Sequence, residues 1–126
     1  MKTIEIFLVG FALSIAFAFI PPKHSMVGHW ISPEHNGSKM YVDFKSDGTF
    51  ETHYKGKLNH HGNYRFNDPV FAITDTGKDG CGAGYWAKYN VTFIGKDSVS
   101  FAVIEDSCTG RSQAVNGSGL RRERKQ

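Results

Sequence analysis

The stretch GYWAKYNVTFIGKDSVSFAVIED, residues 84–106, decides the fold. Tyr85, Ala87, Tyr89, Val91 and Phe93 fall on alternate positions, Gly95-Lys96-Asp97 breaks the run, and Val99, Phe101 and Val103 resume the alternation. A period of two puts one set of side chains on each face, so the stretch predicts two half-buried strands joined by a tight turn. Opposed residues in such a hairpin have numbers summing to about 190–193. Cys81 and Cys108 nearly continue that register, one just before the hairpin and one just after it.

The same period extends outward in both directions. KMYVDFK (39–45) alternates Met40, Val42 and Phe44 with Tyr41, Asp43 and Lys45; Asp47-Gly48 supplies a turn, and TFETHY (49–54) places Phe50, Thr52 and Tyr54 on one face. GNYRF (62–66) pairs Tyr64 with Phe66, Asp68-Pro69 ends that run, and VFAITD (70–75) follows. MVGHWI (26–31) is the first strand, Asn36-Gly37 the turn after it, and CTGRSQAVNG (108–117) the closing strand. After residue 20 no segment sustains a helical period. The expected class is therefore all-β: about eight short antiparallel strands with hairpin connections, in the up-and-down order of a barrel.

The N-terminal 25 residues have a different character. An apolar run at 6–20, Ala-Phe-Ala at 16–18 and Pro21-Pro22 follow the pattern of a secretory signal. An uncleaved anchor is the alternative, but the run is shorter than the ~20 residues a comfortable span requires. The expected organisation is a signal peptide (1–18), a linker (19–26), a barrel domain (27–116) and a basic disordered tail (117–126), with a secreted or periplasmic location and no stable membrane span after cleavage. Net charge is +3, and the tail segment LRRERKQ carries that excess, so the domain itself is nearly neutral. A nucleic-acid binder needs a basic stripe on its folded part, and none is present.

A domain of this size has a thin core, and in an oxidising compartment a disulfide commonly reinforces it. The two cysteines fit one bridge, Cys81–Cys108, worth ~3–4 kcal/mol in the chain-entropy model. Two small buried thiols are the alternative.

Gly28-His29-Trp30 forms a G-x-W at the start of the first strand, and Arg111 follows near the end of the domain. With YVDFKSDGTF, GNYRF and the Cys…Gly-Tyr…Asp-x-Cys-x-Gly-Arg arrangement, the chain resembles lipocalins and the wider calycin superfamily, in particular small bacterial secreted lipocalin-like proteins. The resemblance implies an eight-stranded up-and-down barrel whose closed end is built from Gly28, Trp30 and Arg111, with the guanidinium packed across the indole. It also implies a small hydrophobic ligand and no cofactor.

Catalytic signatures are absent. Six histidines (His24, His29, His35, His53, His60 and His61) lack metal-ligand spacing, and adjacent His60 and His61 point to opposite faces of a strand. Asp43 and Glu51 face each other across the Asp47-Gly48 turn, but in outward phase beside Lys45. No catalytic and no metal residues are expected. The aromatics carry the functional reading: Tyr54, Tyr64, Tyr85, Tyr89, Phe66 and Phe93 share the inward phase and are the expected lining of a ligand pocket. Two classes follow. One is a non-enzymatic binding protein for a small apolar or amphipathic ligand; the other is an interaction module for a protein partner, built on a filled barrel. An interior cavity of ~300 Å3 or more lined by the tyrosines favours the first, and a solid interior with an exposed apolar patch favours the second.

Overall fold

The computed structural model describes residues 24–76 and 84–124. The expected signal segment, most of the linker and Cys81 lie outside the described residues. The strands are β1 (Gly28–Ile31), β2 (Met40–Phe44), β3 (Thr49–Tyr54), β4 (Lys57–Asn67), β5 (Val70–Asp75), β6 (Ala87–Ile94), β7 (Ser98–Glu105) and β8 (Gly119–Arg122). Among the described residues one helix, α1 (Thr109–Val115), lies between β7 and β8. The strands close in sequence order into an eight-stranded antiparallel barrel. The architecture is nearly all β, as the period-two pattern predicts, and is compatible with a calycin-like fold.

Register follows the sequence closely. In the β6–β7 hairpin Tyr89 faces Val103, Val91 faces Phe101 and Ile94 faces Ser98, with a bulge between Lys88 and Tyr89. Asp43 and Glu51 oppose each other on β2 and β3, and Lys45 Nζ bonds Glu51 Oε1 at 3.1 Å. They are an outward ion-pair row. Alternation buries Val42, Phe44, Phe50, Phe71, Ala87, Tyr89, Val91, Val99 and Phe101. The rings interlock edge to face: Phe44 with Tyr64 (5.0 Å between centroids), Phe44 with Phe71 (5.4 Å) and Phe71 with Phe101 (5.6 Å). Such pairs contribute ~0.5–1.5 kcal/mol each beyond burial.

Two expectations are corrected at the C-terminal side. The segment read as a basic disordered tail contains β8, which pairs with β7 through Ser98↔Arg121, Val99↔Leu120 and Ser100↔Gly119. It also pairs with β1 through Trp30↔Arg122 and Ile31↔Arg121. Leu120 supplies the apolar contact, and the arginines around it use their length and charge at the barrel rim. The segment expected as the closing strand is instead α1. Its seven residues include none that is fully buried, and no side chain caps its first turn. Tertiary contacts hold it in place.

Candidate functional site

The two ends of the barrel are built differently. At one end Trp30 is fully buried and its indole Nε1 donates to the Met26 carbonyl at 2.9 Å. A guanidinium lies 4.3 Å over the indole ring. It belongs to Arg122 and not to Arg111, which corrects the closed end expected from the resemblance. Arg122 donates to the carbonyls of Val27 (2.8 Å), Ser25 (3.1 Å) and Lys96 (3.2 Å). One side chain on β8 thereby ties the segment before β1 to the β6–β7 turn. Gly28 has φ +138°, and a Cβ there would stand 2.8 Å from Arg122 Nη1. Glycine at this position, two residues before the plug, thus has two supports: a backbone conformation that disfavours side chains and the guanidinium that crosses it.

The opposite end is covered by α1. Arg111 Nε and Nη2 donate to the two oxygens of Asp106 at 2.8 and 3.0 Å, and Nη1 donates to Asp75 at 3.2 Å. The Tyr89 hydroxyl also donates to Asp106. The Asp106 side chain is wholly buried, and those of Arg111 and Asp75 are 10% exposed. Burial alone disfavours the ionised Asp106 carboxylate. The bonds from Arg111, Tyr89 and the Cys108 amide outweigh that effect and hold its pKa below the usual carboxylate range. Bonding to Asp106 raises the pKa of Arg111. Burial, followed by the bond to Asp106, pushes the Tyr89 phenol well above its ordinary value.

Beneath this cluster is an apolar cavity of about 110 Å3. Met40 and Val42 of β2, Phe50 of β3, Phe71 and Ile73 of β5 and Phe101 of β7 form its walls, with Arg111 and Val115 of α1 among the residues around it. Among the six aromatic residues expected to line a pocket, Tyr89 lines this cavity, whereas Tyr64 and Phe66 border an open surface cleft beside His24. The Tyr64 hydroxyl donates to the Lys45 carbonyl at 2.7 Å, and the Tyr85 hydroxyl accepts from the Ser107 amide at 2.9 Å. Phe66 and Phe93 pack against each other at 6.0 Å, with His24 stacked on Phe93 at 4.2 Å. Tyr54 is partly buried, with Lys55 over its ring. Sequence phase finds the inward faces. It does not report depth along the barrel, and depth separates Tyr89 from the others.

Arg111 is a site residue of a different kind from the one expected: it holds the cover of the cavity and does not touch the plug. Sequence reasoning misses Asp75 and Asp106. Their signal in the chain is a carboxylate ending an inward-phase strand (Asp75) and one preceding Cys108 five residues before the arginine (Asp106). Cys108 sits at the N-terminus of α1. Among the described residues no three His, Cys, Asp or Glu side chains converge to hold a metal ion. His29 pairs with Asp43, and His61 bonds Thr76. No family model, no curated protein and no solved structure matches the chain.

Proposed function

We propose that the protein is an exported, non-enzymatic member of the calycin superfamily that holds a small apolar ligand inside its barrel at the α1 end. The observation that carries this reading is the cavity itself. It is partly open, walled by inward residues from several strands, flanked by a helix that has little packing of its own, and bordered by a converging group of buried polar side chains. A well-formed apolar pocket with a few convergent polar groups of shifted pKa is the default location for a ligand. A signal peptide and a Cys81–Cys108 bridge belong to the same reading. The bridge would anchor the N-terminus of α1, where Cys108 stands, to the β5–β6 connection.

The second reading, a filled-barrel interaction module, draws support from two observations. The cavity of about 110 Å3 is well below the ~300 Å3 at which typical ligand pockets begin. The hydroxyls of Tyr64, Tyr85 and Tyr89 are already engaged within the chain. Titration with small apolar compounds, followed by amide chemical shifts, separates the two. Ligand binding predicts shifts at Phe71, Tyr89, Phe101 and Val115. Val115→Phe should fill the cavity and abolish those shifts while the strand signals persist. If the wild type shows no interior shifts and Val115→Phe only raises stability, the filled-barrel reading takes the lead.

A further inference from the structure

We infer that the cavity accepts uncharged molecules no larger than a single six-membered ring, and that it prefers those carrying one hydrogen-bond acceptor. This rests on the ligand-binding reading and names the chemical class that the site would take. Size comes from volume. A dry apolar cavity of about 150 Å3 in another protein accommodates benzene, and here about 110 Å3 is available. A second ring or a long chain would have to displace α1 or the interlocked Phe71 and Phe101.

Charge is excluded by the composition of the roof. Arg111 is the one charged side chain among the described residues that line the cavity. Its guanidinium is already countered by two carboxylates, Asp106 and Asp75. An anion entering the cavity would be desolvated beside a cluster holding one more negative than positive charge. A cation would meet the guanidinium first. Burying either ion without a dedicated partner costs several kcal/mol. A neutral molecule avoids that penalty. The preference for an acceptor follows from the donor count: a guanidinium carries five N–H groups, and three bonds, to Asp106 twice and Asp75 once, are formed. The Tyr89 hydroxyl is spent as a donor on Asp106, so the remaining guanidinium N–H groups are the donors for a ketone, ether or alcohol oxygen.

Four one-ring probes test this on the full chain at neutral pH: cyclohexanone, cyclohexane, cyclohexanecarboxylate (with its neutral methyl ester as the size control) and cyclohexylammonium. A two-ring ketone and a long-chain fatty acid extend the series, and amide shifts at Tyr89, Phe101 and Val115 report binding. Cyclohexanone should bind at least threefold more tightly than cyclohexane and at least tenfold more tightly than either ion, and the two larger compounds should leave these amides unshifted. Equal binding of an ion overturns the charge assignment, and equal binding of cyclohexane overturns the acceptor. Tighter binding of the fatty acid or the two-ring ketone at the same residues overturns the size limit and leaves the ligand-binding reading standing. If no probe shifts an interior amide, both this inference and that reading fall.

Discussion

Each end of the barrel is organised around one arginine, and the two arginines are satisfied in opposite ways. Arg122 lies across an indole and donates to three main-chain carbonyls, with the Asp97 carboxylate 3.5 Å from its Nε. Arg111 is held by two carboxylates and, through Asp106, by a tyrosine. Carbonyls and rings do not titrate, whereas carboxylates and phenols do. The plug end rests mainly on groups that do not titrate, with one partly exposed carboxylate, Asp97, at its edge, whereas the roof end is attached through two largely buried carboxylates and depends on their ionisation.

The largest effect expected from breaking this contrast is at the plug. Trp30→Ala should cost ~3–5 kcal/mol in denaturant unfolding, as large aromatic truncations in cores do. In a double-mutant cycle Trp30 should couple to Arg122 by ~0.5–2 kcal/mol, the range of a cation–π contact. Trp30 and Arg111, at opposite ends, should be additive within ~0.5 kcal/mol. Coupling to Arg111 instead of Arg122 would invert the comparison.

Next in size is the roof. Arg111→Met leaves two buried carboxylates without their cation and should cost ~2–4 kcal/mol at neutral pH, toward the lower side of what broken buried pairs show. The cost should shrink in acid. Asp106 has a folded pKa below its unfolded value, so its contribution is complete above the ordinary Asp range near ~3.9 and is lost as pH falls through the lower folded pKa. Tyr89 has the opposite sign: its raised pKa gives stability that is complete below ~10 and is lost as pH rises beyond that. Asp106→Asn should flatten the acid limb of the stability curve, and the Trp30–Arg122 coupling should persist across both limbs. An acid limb unchanged in Asp106→Asn would place the titrating group elsewhere.

The smallest effect sharpens the steric account of the G-x-W. Gly28→Ala meets both an unfavourable φ and Arg122 Nη1, and should cost ~1–3 kcal/mol. Because the group in the way is the end of a flexible side chain, Arg122→Ala should relieve part of that cost. Full additivity between the two changes would show that backbone strain alone sets the requirement for glycine.

The strands are legible in the sequence because alternation and short turns are local properties. The β6–β7 register follows from residue spacing alone, since a three-residue break between two regular runs leaves little freedom. The facing of Asp43 and Glu51 follows from the same arithmetic. What escapes such reading is short and held by distant partners. GLRR (119–122) has one apolar residue and two arginines, and locally it reads as solvated chain; its reason to be a strand is Trp30, at the other end of the domain. CTGRSQAV shows too little period for a helix, and α1 exists because Arg111 and Val115 reach the barrel. The resemblance implies an arginine over the tryptophan, but Arg111, Arg121, Arg122 and Arg124 all follow late in the chain, and the closed topology selects Arg122.

The seam between β1 and β8 has a temporal consequence. It consists of two register pairs, reinforced by a side-chain bond spanning 95 positions of the chain. Every other neighbouring pair of strands is also adjacent in the sequence, and those joined by tight turns can zip on a timescale of about microseconds. The seam cannot, because closing so long a loop carries an entropic cost that no nearby turn lowers. The barrel should therefore assemble as an open, curling ribbon, with its first strand unpaired on one side until the Arg122 segment arrives. Until then Trp30 lacks its cover, and the ribbon has two bare strand edges of the kind that invite pairing with a neighbouring chain. Closure should then be the last folding event and the one that covers the bare edges.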